Sequence, residues 1–287
     1  MKNCFVLAVI AAMSVALSAN AYVANDGSAL AAYWQFSETA GHTAADSSGT
    51  GNDATLYDQG DADFAFSFDA CSAADRFGNP SGALNFRGAY NNGGDFAYVA
   101  DNASLDITGG ITIAAWVKMS GVANDWTTLV AKEIVSGNDG SGYTMMVTGN
   151  GGTQNTAATW CANNTGSWYG AYSATGVDDD LGTGTWQHIA MVADGTDLRV
   201  YVNGVLDGTP VAMSPAPTST AGANLALGAS YVWARWFTGT VDEIAIFDGA
   251  LDANGIADVC ANGVVIPEPA TMALLGLGAL GLLRKRR

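Results

Sequence analysis

The chain has 287 residues, of which 49% are hydrophobic, so it is long and apolar enough to bury a core and to form one or two domains. Between residues 22 and 265, 6 basic side chains stand against 26 acidic ones, a net charge of −20. This field repels phosphate groups and argues against nucleic acid or anionic lipid as a partner of the folded part. Only 13% of residues are charged while 36 are glycine, which disfavours long charged helices and favours an all-β fold.

The N-terminus has the parts of a secretory signal. Lys2 precedes an apolar run from Phe5 to Leu17, and Ala19 and Ala21 follow in an Ala-x-Ala arrangement. We therefore predict a signal peptide over residues 1–21, cleaved after about Ala21. A membrane-anchoring first helix is the alternative, which the short apolar run disfavours because a bilayer requires roughly 20 residues. The exported chain then meets an oxidising compartment.

Between the two ends, short segments rich in Val, Ile, Thr and aromatic residues are bounded by Gly, Asn or Asp, and no long helical period is present. Alternation predicts that Trp116 and Lys118 lie on the opposite face from Ile111, Ile113 and Ala115. The predicted strands cover 111–119, 187–193, 198–202, 225–227 and 240–247. Many short strands without intervening helices predict a sandwich or jelly roll.

Three local predictions accompany these strands. Asn203-Gly204 adopts positive φ easily, so it predicts a tight turn after which residues 205–206 return antiparallel. Residues 251–259 predict one short terminal helix. We predict extended loops in two segments, the glycine-rich residues 134–184 and residues 61–80.

Several blocks of the chain resemble LamG-like jelly-roll domains and stand in the same order. They are AYWQF (32–36), ADSSGTGNDATL (45–56), ALNF (83–86), SLD (104–106), TIAAWVK (112–118), WQHIA (186–190), LRVYVNG (198–204) and GTVDEI (239–244). The resemblance implies a two-sheet antiparallel jelly-roll sandwich, the concanavalin A-like lectin/glucanase fold, over residues 22–262. Residues 61–80 and 134–184 depart from the family pattern, because they carry more predicted loop.

The residues argue against several kinds of catalysis. His42 and His188 are the two histidines, and neither belongs to a zinc-protease motif or stands beside a serine-hydrolase elbow. We predict that His188 packs in its strand. Glucanases of the resembled fold carry a Glu-x-Asp-x-x-Glu triplet, whereas Glu38, Glu133 and Glu243 form no such pattern. We therefore predict that the protein is not an enzyme.

Oxygen-rich side chains suggest a structural calcium ion. Asp242 stands in an apolar strand, where alternation groups it with Ile244 and Ile246, and a buried carboxylate requires a partner. Asp46, Asn52 and Asp53 lie in a glycine-containing loop and offer ligands of the kind that calcium prefers. The alternative is that Asp242 caps backbone amides of that loop without metal. We predict that the run of acidic residues at 178–180 is a solvent-exposed loop.

Aromatic residues are frequent in the segments predicted to be rich in loops. Exposed rings there can stack on sugar faces, and the alternative is that they pack in the core. The residues are Trp126, Trp160, Trp168, Tyr169, Tyr172, Tyr231, Trp233 and Trp236. The predicted ligand-binding set comprises Trp126, Trp168, Tyr169, Trp233 and Trp236.

Three cysteines remain after signal removal. Cys71, Cys161 and Cys260 allow one disulfide and one odd thiol in an oxidising compartment, and the sequence leaves the pairing open.

The C-terminus closely resembles the PEP-CTERM sorting signal of Gram-negative bacteria. Pro267-Glu268-Pro269 matches the motif of that family, an apolar stretch from Met272 to Leu283 follows, and a basic cluster ends the chain. The resemblance implies that residues 263–287 insert transiently in the inner membrane as a short helix and are recognised by an exosortase. An ordinary C-terminal anchor is the alternative.

Together these features predict an exported envelope, cell-surface or extracellular protein that binds without catalysis. The expected ligand is exopolysaccharide or another matrix glycan, since proteins with this tail are commonly associated with exopolysaccharide and biofilm. The rival classes are a structural matrix or biofilm protein without a small ligand and a divergent glycoside hydrolase.

Overall fold

The structure is a computed structural model and describes residues 28–59, 66–90, 93–120, 126–136, 139–149, 155–163, 166–178, 184–213, 217, 220–230 and 232–266. The predicted signal peptide, the Pro267-Glu268-Pro269 motif and the apolar stretch after it lie outside the described residues, as does Tyr231. Among the described residues, no helix is long and apolar enough to cross a membrane.

The first half of the described chain contributes eight strands. They are β1 (Ala29–Trp34), β2 (Thr43–Ala44), β3 (Ala54–Gln59), β4 (Ser72–Ala73), β5 (Ala83–Arg87), β6 (Ala89–Tyr90), β7 (Gly93–Val99) and β8 (Ile111–Met119). The second half contributes twelve more. They are β9 (Trp126–Ser136), β10 (Asp139–Gly149), β11 (Asn155–Ala162), β12 (Trp168–Asp178), β13 (Gln187–Ala193), β14 (Asp197–Val202), β15 (Val205–Leu206), β16 (Val211–Ala212), β17 (Leu225–Leu227), β18 (Ala229–Ser230), β19 (Arg235–Trp236) and β20 (Thr238–Asp248).

Helical structure is confined to short segments. A single turn α1 (Phe68–Cys71), a 3-10 turn (Ala103–Leu105) and the helix α2 (Ala253–Asn262) are described. The predicted terminal helix is confirmed, but it starts two residues later than expected. Asp252 sets this start, because its side chain accepts a hydrogen bond of 2.7 Å from the Gly255 N–H.

The strands form two large sheets. The first sheet has the order β15-β14-β13-β8-β20-β5-β4, with β1 on β20 and β16 on β14. The second has the order β12-β11-β10-β9-β17-β7-β3-β2, with β6 on β7. A separate ribbon consists of β18 and β19, and the described pairings are antiparallel. The predicted two-sheet antiparallel jelly-roll sandwich is confirmed.

The core lies between the two sheets. From β8, Ile111, Ile113, Ala115 and Val117 enter it, whereas Trp116 and Lys118 do not. The predicted alternation is therefore confirmed. A second apolar cluster, including Phe247, Ile256 and Val259, lies on the other side of the first sheet, where α2 covers it.

The hairpin at residues 198–206 is confirmed. Asn203 and Gly204 have φ of 50° and 81°, and Val202 pairs with Val205. These are the positive φ values of a tight hairpin turn.

The prediction of extended loops over 134–184 is wrong. The strands β9 to β12 run through most of this segment and form one edge of the second sheet. Glycine and small residues suggested loops, but cross-strand pairing over long antiparallel ladders determines the conformation here. Asp178 ends β12, and the next two residues of the acidic run lie outside the described residues.

The expected disulfide is also not formed. Cys71, Cys161 and Cys260 are all free thiols. Cys161 is buried from β11, Cys71 ends α1, and Cys260 lies on α2 outside the first sheet, so they belong to different parts of the fold. Burial raises the pKa of Cys161 to about 12, which keeps this thiol protonated.

Candidate functional site

The outer side of the second sheet carries a cluster of aromatic rings. Trp126, Trp160 and Tyr172 come from β9, β11 and β12, whereas their strand neighbours such as Cys161 and Ala171 face the core. The Trp126 ring centroid lies 6.2 Å from that of Trp160 and 5.9 Å from that of Tyr172, in edge-to-face geometry. Each such pair contributes about 0.5–1.5 kcal/mol beyond burial, which fixes the rings in place.

The ribbon of β18 and β19 packs against this outer side and brings a cation to it. The Arg235 guanidinium carbon lies 5.3 Å from the Trp126 ring centroid and 5.4 Å from that of Trp233. Ser230 donates a hydrogen bond of 3.4 Å to Glu133 Oε2. Among the described residues Arg235 forms no ion pair, and its guanidinium group lines a cavity together with the Glu133 carboxylate, on which its charge acts.

These groups surround a cavity of about 260 Å³, called here the tryptophan cavity. Its lining combines indole rings, a carboxylate, a guanidinium group and two buried β10 side chains. The lining residues are Glu133, Thr144, Met146, Trp160, Trp168, Trp233 and Arg235. Flat apolar surfaces with a few convergent polar groups are typical of a small-ligand site.

Glu133 is the single carboxylate among the described lining residues. Burial raises its pKa, and this rise is opposed by the hydrogen bond from Ser230, the charge of Arg235 and a hydrogen bond from Trp233. The carboxylate oxygens of Glu133 can accept a hydrogen bond from a ligand hydroxyl group. Glycoside hydrolysis requires a second carboxylate about 5–9.5 Å away.

The five predicted ligand-binding residues divide into three groups. Trp168 and Trp233 line the tryptophan cavity, and Trp126 lies beside it under Arg235. Tyr169 faces the other way and packs against the core. Trp236 lies on the far side of the ribbon, with its ring centroid 6.0 Å from that of Phe96.

Five lining residues were absent from the predicted set. Trp160 was considered and left out of it, while Glu133, Thr144, Met146 and Arg235 had no assigned role in binding. One signal for Arg235 is present in the sequence, since it is one of six basic residues in an acidic body and stands between two tryptophans. The other four lie on β9, β10 and β11 and are brought together by sheet pairing.

The carboxylate of Asp46 is saturated by hydrogen bonds. Oδ1 accepts from the backbone N–H of Tyr33 and Ser48 at 3.0 and 2.9 Å. Oδ2 accepts from the hydroxyls of Ser48 and Thr50 and from the N–H of Asn52 at 2.8, 2.8 and 2.9 Å. These hydrogen bonds lower the pKa of Asp46 against the opposing effect of burial. Asp46 therefore caps the amides of its own loop.

The other loop residues complete the same network. Asp53 Oδ1 accepts the N–H of Asp46 at 2.8 Å. The Asn52 amide nitrogen donates to the carbonyl of Ala31 at 2.8 Å and to Ser104 Oγ at 2.9 Å, which joins the loop to β1 and to the 3-10 turn.

Asp242 lies in a different environment from the loop. A β-bulge with Glu243 at φ 53° interrupts the pairing of β20 with β8, so Asp242 lies opposite Trp116 while Ile244 and Ile246 enter the core. The prediction that Asp242 shares a face with these isoleucines is therefore wrong, because a bulge reverses the alternation. Its amide partner is Arg76 rather than the loop around Asp46.

The four predicted calcium ligands do not all lie in one place. The described structure unites Asp46, Asn52 and Asp53, while Asp242 interacts with Arg76 and Glu243. Among the described residues, no cluster of three or more acidic, histidine or cysteine side chains is arranged to hold a metal ion. Calcium at this loop stays a prediction, and the saturated Asp46 carboxylate does not fit the role of a ligand.

The packing role predicted for His188 is confirmed. Its side chain is buried, and its ring centroid lies 5.4 Å from that of Trp116. Burial, with a further contribution from the Arg76 charge, lowers the pKa of His188 to about 3. The imidazole is therefore neutral at physiological pH.

The sequence profile of the concanavalin A-like lectin/glucanases superfamily matches residues 91–257, more than half of the chain. The chain belongs to this superfamily. The match covers β7 to β20, including every residue that lines the tryptophan cavity. A search of curated protein sequences found no matching relative.

Solved structures with a similar fold include three binding proteins or domains. The botulinum neurotoxin serotype G binding domain is 14% identical over 80% of this chain and 50% of that chain, with a TM-score of 0.56. A botulinum neurotoxin type C structure is 14% identical over 82% and 51%, with a TM-score of 0.55. Domain 4 of AbnA, a GH43 extracellular arabinanase from Geobacillus stearothermophilus, is 22% identical over 81% and 98%, with a TM-score of 0.50. The chain spans about half of each neurotoxin chain, and these likenesses show the fold alone.

The PEP-CTERM protein-sorting motif matches residues 265–287. It indicates export and sorting to the cell envelope or surface in a bacterium. The sorting segment follows the folded domain directly, since Val264 is buried and Ile266 packs on the cluster beneath α2.

Proposed function

We propose that this protein is an exported, non-catalytic module that binds a neutral polysaccharide of the extracellular matrix in the tryptophan cavity. The observation that carries the proposal is the placement of three indole rings around about 260 Å³ with Glu133 and Arg235 at the same cavity. Indole faces stack on the apolar faces of sugar rings. The carboxyl and guanidinium groups supply acceptors and donors for sugar hydroxyls.

Charge favours a neutral glycan over an anionic one. Residues 22–265 carry a net charge of −20, and Glu133 adds a carboxylate inside the cavity. A polyanionic chain is repelled by this field, whereas hydrogen bonds to hydroxyl groups are unaffected by it. The arabinanase domain of the same fold was solved with arabinotriose, a neutral oligosaccharide.

Trp233→Ala is expected to weaken glycan binding by about tenfold or more, because a central aromatic anchor contributes about 1.4 kcal/mol or more. Trp233 is 55% exposed, so the substitution leaves the core intact. The full-length protein is tested on an array of neutral and acidic oligosaccharides that includes arabinotriose, followed by titration calorimetry. Phe77→Ala is the matched control, since this ring is 70% exposed and does not line the cavity.

The same assay distinguishes the rival functions. Absence of binding to every neutral and acidic glycan on the array contradicts the proposal and favours a structural matrix protein. Release of reducing sugar that is lost in Glu133→Gln contradicts the non-catalytic part, because Glu133 then acts as a general acid.

The export route completes the proposal. An exosortase recognises Pro267-Glu268-Pro269 while the apolar stretch is inserted in the inner membrane, and it removes the tail of a protein destined for the matrix. The match of the sorting motif to residues 265–287 supports this route.

The mature protein recovered from its native host is expected to end upstream of Met272, as measured by intact mass. Replacement of Pro267, Glu268 and Pro269 by alanine removes the recognised motif, so this variant is expected to keep the tail. A wild-type mass that includes Arg287 contradicts the proposed processing.

A further inference from the structure

A second cleft lies on the same outer side of the second sheet, beyond the ribbon. It is lined by Tyr57, Phe96, Tyr98 and Asn224 and has a volume of about 480 Å³. We call it the tyrosine cleft. The Tyr57 and Phe96 rings are stacked, with centroids 5.6 Å apart and an interplanar angle of 7°, and Tyr98 meets Tyr57 edge-on at 6.2 Å.

The tyrosine cleft combines a flat exposed ring with hydrogen-bonding groups. Tyr57 is 50% exposed although Phe96 beneath it is buried, so the stacked pair holds one phenol ring open to solvent. Among the described residues, neither the Tyr57 nor the Tyr98 hydroxyl has a hydrogen-bond partner. Asn224 Oδ1 accepts the N–H of Asp101 at 3.0 Å, which leaves the Asn224 amide nitrogen as a donor.

We propose that the tyrosine cleft is a second, independent glycan-binding site, so that one protein molecule holds two neutral saccharide chains. The proposal rests on the proposed function, because it assigns the same ligand class to a second place on the same sheet. A pre-organised aromatic platform whose phenol hydroxyls have no partner in the described part of the chain, together with an amide, suits a sugar ring, whose faces are apolar and whose edges carry hydroxyls. The absence of any cationic side chain from the described lining also favours a neutral ligand.

The two sites are separated by a row of small residues. Tyr98, Ala226, Ala131, Thr144 and Trp160 lie directly opposite one another on β7, β17, β9, β10 and β11. Four strand spacings of about 4.8 Å place Tyr98 about 19 Å from Trp160. Ala226 and Ala131 are buried between them.

The ribbon forms the wall between the sites. Trp236 of β19 packs on Phe96 of the tyrosine cleft, whereas the preceding Arg235 lies over Trp126 at the tryptophan cavity. A short oligosaccharide in one site is therefore blocked from the other along the sheet surface. Two separate saccharide segments are bound, which makes the protein a cross-link between matrix polysaccharide chains.

The test is the stoichiometry of short oligosaccharides on the full-length protein. Titration calorimetry with arabinotriose, cellotetraose and xylotetraose is expected to give two sites on the wild type for the probe that binds. Tyr57→Ala is expected to leave one site, Trp233→Ala to leave the other, and the double variant to leave none. Phe77→Ala serves as control and is expected to keep both.

A second measurement uses long chains. Retention of the wild type on an immobilised polysaccharide of the binding sugar is expected to exceed that of either single variant by about a hundredfold, through avidity. One wild-type site that Tyr57→Ala leaves unchanged and Trp233→Ala removes overturns the second site while the proposed function stands. No binding of any probe by the wild type overturns both.

Discussion

Lys132→Met is expected to lower the free energy of unfolding by about 3–5 kcal/mol, because it breaks a buried, fully satisfied ion cluster. The Lys132 side chain is 0% exposed, and its Nζ lies 2.8 Å from Asp101 Oδ1 and 2.9 Å from Asp106 Oδ1. It also donates to the carbonyls of Thr220 and Ala223 at 3.1 and 2.7 Å. One ammonium group thus joins the end of β7, the 3-10 turn and the loop before β17.

Methionine preserves the length of the side chain but leaves these four acceptors without their donor. Urea unfolding of the full-length protein measures the loss. Lys118→Met is the matched control, since Lys118 is partly exposed and its Nζ lies over the Trp186 ring at 5.1 Å. An exposed contact of this type contributes about 0.5–1 kcal/mol. Equal effects of the two substitutions contradict the structural role assigned to Lys132.

Strands with clean alternation were predictable from the sequence. The boundaries of β8 and β13 match the predicted ranges, and the turn at Asn203-Gly204 has the positive φ values that its residues favour. In these segments the local pattern and the global fold agree, because alternate residues enter the core between the sheets while Ala114, Ala190 and Val192 of the other face join the cluster under α2.

The sequence contains no pattern that predicts the bulge in β20. Glu243 adopts φ 53°, a conformation that non-glycine residues rarely take, and it lies in a segment whose pattern reads as a regular strand. The surrounding pairing with β8 and β1 imposes this geometry. Since side chains have a period of two, one extra residue moved Asp242 from the predicted core face to the opposite face.

Some of the residues that line the tryptophan cavity could be predicted from the sequence, but the way in which the strands bring them together could not. Trp168 and Trp233 were expected to bind a ligand and do line it. Trp236 was expected beside them, yet it faces the tyrosine cleft because successive residues of β19 point to opposite sides of the ribbon. Which strands are neighbours, and where the ribbon lies, follow from long-range pairing that one sequence does not reveal.

Asp242→Asn is expected to stabilise the protein at pH 8 and to flatten its stability profile between pH 4 and 7. Burial raises the pKa of Asp242 from 3.8 to about 7, and the charges of Glu243 and Asp75 add to this rise while Arg76 opposes it. The folded state therefore keeps a proton that the unfolded state releases. The stability contributed by this proton is fully present below the unfolded pKa of about 4 and is lost as the pH rises through the folded pKa.

Each unit of pKa difference corresponds to about 1.4 kcal/mol, so the gain of the amide variant at pH 8 has an upper limit of about 4 kcal/mol. The asparagine oxygen still accepts the Arg76 N–H. The charged neighbours of Asp242, which are Glu243, Asp75 and Arg76, are present in both proteins. Trp116 carries no charge, and His188 is neutral above its pKa of about 3. Melting temperatures are measured from pH 4 to 8 for wild type, Asp242→Asn and the control Asp248→Asn, at an exposed position of the same strand. Parallel curves for wild type and Asp242→Asn contradict a protonated Asp242, whereas converging curves below pH 5 and a gap at pH 8 support it.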